Sequence, residues 1–481
     1  MKELSCDVAV IGAGTAGLAA SGAAHRAGAK VLLIESGSSG TTCAQVGCMP
    51  SKLLIAAAEV AHQAATASIF GIETAPIRID GRSVMARVQH ERDRFVRSVL
   101  KSYEAIPAQS RLTGLAHFVD GQTLEVENEA GERSRVRAKA IVIATGSRAS
   151  VPKPFQSVAA RVLTNETIFE LETLPASVAV IGAGAVGLEL GQALHRLGVR
   201  TAIFDRDTDI GGLRDEGMNR HARSLFAEEL DLRLGVDIQA EPAPGAADCV
   251  RIKWQAKSGE GAEGTADFSH VLVAAGRPPN LEALRLQRAG VKLDEHGVPE
   301  FDAGTLRCGD SRVFIAGDAS AWRPLLHEAV DAGTIAGHNA ARFPDVRVST
   351  RSAPLAITFT DPQIAIVGDT SLKPRLVGKA DFSDQGRARV MNRNRGCVRL
   401  YADPSTNRLT GAEMIGPAVE HLSHLIAWAV QGDAQVRELL ELPFYHPTLE
   451  EALRSALRDL CAQLRLVPAY EVGSMEYGPA I

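Results

Sequence analysis

Several things are scarce in this 481-residue chain. Lys and Arg number 52 against 57 Asp and Glu, giving a formal net charge of -5. With no basic surplus, neither a nucleic-acid backbone nor an anionic membrane is expected as a partner. Cysteine is thin, at seven residues, odd in number and scattered. That excludes a disulfide-stapled secreted scaffold and points to a reducing, cytoplasmic compartment. The apolar stretch after Asp7 has no basic leader and is rich in Gly and Ala, so no targeting or membrane-spanning segment is expected. Aromatic residues are also few, at 5%, and no functional meaning attaches to that. What remains is ordinary for a soluble protein: 45% hydrophobic and 23% charged residues. At roughly 150 residues per domain, the length predicts about three domains.

The strongest organising feature is an internal repeat. Residues 8–35 read VAVIGAGTAGLAASGAAHRAGAKVLLIE and residues 178–205 read VAVIGAGAVGLELGQALHRLGVRTAIFD. Each copy is an apolar, β-branched run, a glycine turn, an Ala/Leu-rich helical stretch and a second apolar run, which predicts a strand–helix–strand unit. The glycines are Gly12, Gly14 and Gly17 in the first copy and Gly182, Gly184 and Gly187 in the second. In this pattern the first glycine makes the tight turn, the second admits a pyrophosphate, and the third brings the helix close to the strand. The phosphates then meet the helix N-terminus, where free N–H groups favour negative charge. Glu35 and Asp205 end the two copies at the same distance from the first glycine, where a carboxylate holds ribose hydroxyls. The chain should therefore bind two dinucleotides. Asp205 would repel a 2′-phosphate, which favours NADH over NADPH at the second site, although Arg206 adjoins it.

A second pair of signals follows the same division. The runs Ile141–Gly146 and Val271–Arg277 each read as a buried strand ending in small residues at a ligand crevice. Val-Pro-Lys-Pro at 151–154 reads as a linker, and residues 242–247 with Gly259, Gly261 and Gly264 read as turns. From about residue 346 the pattern changes to alternating strands, an apolar helix near His421–Val430 and a charged amphipathic helix from Pro447 to about Arg465. The expected division is 1–150 for the first dinucleotide domain, 151–270 for the second, 271–345 for a return to the first, and 346–481 for a third domain.

Residues 40–52 read GTTCAQVGCMPSK. Cys43 and Cys48 precede an Ala-rich helical pattern at Leu53–Ala65, which puts Cys48 at a helix N-terminus, where partial positive charge favours a thiolate. The pair reads either as a reversible two-electron disulfide or as two buried cysteines serving as small hydrophobes. A zinc site fits poorly, since no second Cys or His pair follows at ligand spacing.

This stretch resembles the redox-active segment of the flavoprotein disulfide reductases, and the resemblance covers essentially the whole chain. Gly12, Gly14, Gly17 and Glu35 are similar to the family's FAD site, with Ala144-Thr145-Gly146 and Phe314–Asp318 as further fingerprints. Thr42, Lys52, Ala116, Leu325, Leu326 and His327 join the FAD contacts by the same resemblance. The second copy, with Val186, Glu189, Asp205, Ala275, Gly276 and Arg277, is similar to the NAD(H) site. His446 to Glu451, HPTLEE, resembles the signature of the dimer domain. Alone, a His before Pro would read as a helix start. The resemblance makes His446, oriented by Glu451, the proton shuttle of the thiol couple, supplied by the other subunit of a homodimer. It also implies Cys48 as the thiolate next to the flavin, Cys43 as the interchange thiol, and Lys52 near the flavin, paired with Glu189. His327 would pack near the flavin. The implied fold is α/β, with two Rossmann-like domains for FAD and NAD and a C-terminal α+β dimerisation domain.

Within the family the motifs lie nearest to dihydrolipoamide dehydrogenase. No Cys pair stands near the C-terminal end of the sequence, where mercuric and large thioredoxin reductases would have one. Gly22-Ala23 replaces the Arg pair of glutathione reductases, and Pro50-Ser51-Lys52 differs from their Pro-Lys-Lys. The expected reaction is oxidation of a dihydrolipoyl group on a carrier protein, with electrons passing to NAD. Departures at Thr41, Gln45 and residues 207–218 keep a specialised paralogue, or a reductase of another disulfide, in play. An NADH-dependent reductase of quinones or dyes and a non-catalytic docking subunit are the other readings. Neither needs Cys43, Cys48, His446 and Glu451 together. Cys6, Cys249, Cys308, Cys397 and Cys461 are expected bystanders.

Overall fold

A computed structural model describes residues 1–37, 40–246, 248–257 and 263–466. The turn glycines expected at 259 and 261 lie outside these residues. Gly264 opens a strand, Gly264–Phe268, beneath the Trp254 ring, where a Cβ would stand 2.4 Å from the indole.

The two repeat copies fold as two sheets. In the first, Lys2–Ile11 lies between Val31–Glu35 and Arg133–Ile143, all parallel, and Val313–Ile315 adds beside Arg133–Ile143. Val8, Ala9 and Val10 are fully buried, as expected of a parallel strand covered on both faces, which cannot alternate apolar with polar. Ile11, Ile143 and Ile315 sit side by side in register, so three strands end together at one crevice. In the second sheet Ser177–Ile181 lies between Arg200–Asp205 and His270–Val273, again parallel. A three-stranded antiparallel sheet, residues 236–268, covers it. The expected return to the first domain at residue 271 is corrected here. His270–Val273 still pairs with Ser177–Ile181, so the chain crosses back only after Val273.

The first-copy helix, Thr15–Arg26, is locked to the helix Leu326–Arg342. A Cβ on Gly333 or Gly337 would come within 2.2 Å of the carbonyl oxygen of Ala16 or Ala20, so small residues on both helices let their backbones touch. The second-copy helix, Ala185–Arg196, packs instead on the redox helix Cys48–Thr66 and on the third domain. The stretch 42–70 is long and apolar enough to cross a membrane. Here it packs Leu54 and Ala58 into the core shared with the second domain.

The third domain is a five-stranded antiparallel sheet, residues 355–416, flanked by the helices Val419–Gln431 and Glu451–Gln463. Segment 207–218, unusual in sequence, docks the second domain onto it. Fully buried Glu413 accepts the backbone N–H groups of Arg214 and Asp215 at 3.2 and 3.1 Å, and Arg399 bonds Asp215 at 2.6 Å. Gly211 and Gly212 take positive φ there, and a Cβ on Gly211 would strike Ile364.

Candidate active site

The two glycine loops are built alike. Gly12 and Gly182 have φ of +102° and +110°, a region that disfavours side chains. A Cβ on Gly12 would lie 2.4 Å from the carbonyl oxygen of Ala144, and one on Gly182 would lie 2.5 Å from that of Ala274. The two apolar runs singled out in the sequence therefore close on the loops. A Cβ on Gly17 or Gly187 would stand 1.8 Å from the Gly12 or Gly182 oxygen, whereas the middle glycines, Gly14 and Gly184, meet nothing within 4 Å. Both loops thus present open space before a helix N-terminus, where a pyrophosphate fits. Beside the first, the hydroxyl of Thr145 is buried and has no hydrogen-bond partner among the described residues, which leaves it available to a bound group. Glu35 accepts from Ala13 N–H and Asp205 from Ala183 N–H, both at 2.6 Å, so each acid is fixed against its loop.

The remaining FAD candidates lie on several elements. Asp318 sits in a tight turn after Val313–Ile315 and accepts from Ser147 Oγ at 2.6 Å. Leu325, Leu326 and His327 lie at the start of the helix Leu326–Arg342, with Leu326 and His327 exposed. Thr42 is exposed, beside buried Thr41, which caps the turn carrying Cys43 by accepting from Ala44 N–H at 3.2 Å. Ala116 faces the core, so only its backbone is available to a ligand. Around the second loop Val186, Ala275 and Gly276 are exposed. Arg277 turns away from the loop toward the first domain, bonding Ser147 and, at 3.0 Å, Asn165 Oδ1. Asn165 in turn donates to the carbonyl of Val46, between the two cysteines, at 2.9 Å.

All seven cysteines are free thiols. Cys48 is the first residue of the redox helix, and the Cys43 S–H donates to it. That bond lowers the Cys48 pKa to about 6, aided by the Lys52 ammonium and opposed by desolvation. The same bond, together with burial, pushes Cys43 up. At neutral pH the pair is one thiol donating to one thiolate. Cys6, Cys308 and Cys397 stand in contrast, each driven by burial to about 12, and Cys461 is raised as well. At these sites burial outweighs the cations and donors nearby, such as Lys30 beside Cys6 and Arg399 beside Cys397, and holds the thiol protonated.

Lys52 lies one turn into the redox helix, and its Nζ is 2.7 Å from Glu189 Oε2. Glu189 is 5% exposed. The expected pair is present. Its surroundings were not legible in the sequence: the N–H of Phe359, from the third domain, donates to Glu189 Oε1 at 2.9 Å, and the Phe359 ring lies 4.5 Å from Lys52 Nζ. His446 is exposed on the third domain, with Nδ1 3.1 and 3.2 Å from the two Glu451 oxygens. A carboxylate accepting at Nδ1 leaves Nε2 as the basic nitrogen. Thr448 N–H holds the same carboxylate at 3.1 Å.

Residues 6–333 match the family described as pyridine nucleotide-disulphide oxidoreductase, and residues 355–457 match the dimerisation domain of that family. The dihydrolipoyl dehydrogenase of Bacillus subtilis is 31% identical over 463 residues, covering 94% of this chain and 97% of that protein. A mercuric reductase of Staphylococcus aureus is 28% identical, covering 94% of this chain and 81% of that one. Among solved structures, LpdA of Mycobacterium tuberculosis has a TM-score of 0.80 at 22% identity, covering 96% of this chain and 100% of that one. The HOCl-induced flavoprotein disulfide reductase RclA of Escherichia coli, as its Cu(II) complex, has a TM-score of 0.78 at 20% identity, covering 95% and 99%.

Proposed function

Since the chain belongs to the pyridine nucleotide-disulphide oxidoreductases, with FAD, NAD(H) and a homodimer as that family's equipment, we propose that it is a dihydrolipoyl dehydrogenase acting on a lipoyl-carrying protein. The observation that carries this reading is the thiol–thiolate pair of Cys43 and Cys48 beside Lys52. Such a pair is suited to dithiol–disulfide exchange. A dihydrolipoyl thiolate attacks Cys43 Sγ of the oxidised pair, and Cys48 leaves as the thiolate. The carrier's second thiolate then breaks the mixed disulfide, releasing Cys43 and a lipoyl disulfide. Cys43, released as a thiolate with its raised affinity for a proton, takes up one of the two dithiol protons and donates to Cys48. His446 of a second copy, with Nε2 free and Nδ1 held by Glu451, takes the proton that the dithiol gives up. FAD, when bound along Gly12, Gly14, Thr145 and Asp318, supplies the two-electron relay from thiolate to nicotinamide. The nicotinamide dinucleotide would lie along Gly182 and Gly184, with Asp205 on its ribose. The balance is dithiol plus NAD giving disulfide, NADH and one proton. Cys6, Cys308 and Cys461, buried free thiols away from this route, accord with a reducing, cytoplasmic compartment.

The test is a substrate panel with the purified holoenzyme: dihydrolipoamide with NAD, Hg(II) and Cu(II) with NADH or NADPH, and a quinone with NADH. The reading expects dihydrolipoamide with NAD to exceed the others in kcat/KM by at least about tenfold, a difference of ~1.4 kcal/mol in transition-state binding. A higher kcat/KM for a metal ion or quinone would overturn it.

A further inference from the structure

Polar side chains recur along the seam between the redox helix and the second-copy helix. Lys52 meets Glu189, and one and two turns further on Gln192 and Arg196 reach across to the third domain. There they grip a single residue of the turn after the strand Leu355–Thr358. Gln192 Nε2 donates to the Asp361 carbonyl and Gln192 Oε1 accepts from Asp361 N–H, both at 2.8 Å; Arg196 Nη1 is 3.1 Å from Asp361 Oδ2. Gln192 is 4% exposed, and Glu229 holds Arg196 from the other side. Gln192 and Arg196 each bond Asp361 on one side and Glu229 on the other, so the grip works as a clamp. What it holds in place is Phe359, two residues before Asp361.

We propose that Phe359 is a positioning residue, through which the third domain sets the Lys52–Glu189 pair and so the charge felt by the Cys48 thiolate. The inference rests on the disulfide mechanism proposed above and deepens it. Glu189 has two oxygens and two partners, Lys52 on one and Phe359 N–H on the other, so its carboxylate has one orientation. Lys52 has a carboxylate on one side and an aromatic face on another, and a cation over a ring is attracted to it. Held so, the ammonium stays near Cys48, whose thiolate it favours. The charged and titratable groups facing Cys48 are Cys43, Lys52 and Glu189; Glu59, Arg196 and Asp361 lie further along the seam. A third-domain turn thus acts on a thiolate it does not touch.

The test is a pH titration of the long-wavelength thiolate-to-flavin absorbance of the NADH-reduced holoenzyme, in wild type, Phe359→Leu and Phe359→Tyr. A cation–ring contact has a modest strength, so loss of the ring should move the Phe359→Leu midpoint up by about half a unit to one unit. kcat should fall about threefold to tenfold with the KM for NAD unchanged. Phe359→Tyr, which keeps the ring, should restore both. If Phe359→Leu does not fold, trifluorophenylalanine at position 359 weakens the ring's negative face at nearly constant size, and its midpoint should move in the same direction. An unmoved midpoint in the variant that folds would overturn the proposal, as would equal shifts in the Leu and Tyr variants. A wild-type enzyme with no long-wavelength absorbance would instead sink the disulfide mechanism itself.

Discussion

The two glycine loops share one construction and differ in what their helices carry. In both, the first glycine lies under the carbonyl of a distant Ala, the third lies under the first, and an acid is pinned by two backbone N–H groups, one from the loop and one two residues after the acid. These features answer to the shape of a dinucleotide. The helices after the loops answer to different neighbours. The first helix has Ala19 and Gly22 where the second, at matching places in the repeat, has Glu189 and Gln192. The first is buried against Leu326–Arg342 by backbone-to-backbone approach at Gly333 and Gly337, an arrangement suited to holding a resident cofactor. The second meets the redox helix and the third domain through charged and polar groups. The repeat accounts for binding, and the departures from it account for the site.

The largest expected effect comes from breaking each loop separately. Gly17→Ala and Gly187→Ala each place a Cβ 1.8 Å from a carbonyl oxygen. Overpacking of this kind costs ~1–3 kcal/mol. Gly17→Ala should purify with little flavin. Gly187→Ala should keep its flavin while its KM for NAD rises roughly tenfold to a hundredfold, since ~1.4 kcal/mol is a factor of ten. Flavin absorbance per chain and NAD kinetics decide it, and loss of flavin from Gly187→Ala would show that the loops are not independent.

A smaller change probes the side-chain difference. Glu189→Gln can still accept from Phe359 N–H but leaves the partly exposed Lys52 without its counter-charge. With ~1–2 kcal/mol at stake after solvent screening, kcat should fall about tenfold and the KM for NAD should hold. A rise in KM at constant kcat would make Glu189 a binding residue only.

The smallest effect concerns the acids. Asp205→Asn removes the charge that opposes a 2′-phosphate, so the ratio of NADPH to NADH use should rise by about threefold to tenfold. An unchanged ratio would leave cofactor choice to Arg206 and its neighbours.

What was legible in the sequence follows the range of the forces involved. Gly12 and Gly182 could be read because a positive φ excludes side chains locally, and Cys48 because a helix pattern follows it at once. Lys52–Glu189 was found only through the family resemblance, since the two residues are far apart in the chain. Phe359 gave no signal: it is one apolar residue after a strand, and its role exists only once Gln192 and Arg196 have docked the third domain. The domain return was placed a few residues early because the apolar run 271–275 does not reveal which sheet its strand joins. Segment 207–218 stood out as unusual, and its cause, docking onto Ile364 and Glu413, lies about 150 and 200 positions away.

The central claim is that Cys48 is the thiolate through which electrons pass. The most direct measurement is anaerobic reduction with dihydrolipoamide, following long-wavelength absorbance against pH in wild type and Cys48→Ser. The Cys48 pKa lies below the ordinary thiol value, so the thiolate is present above pH 6 and is lost as pH falls through about 6. The account predicts a wild-type band at pH 7 that fades with that midpoint, and no band in Cys48→Ser. A band that survives in Cys48→Ser, or a wild-type protein without one at pH 7, would contradict it.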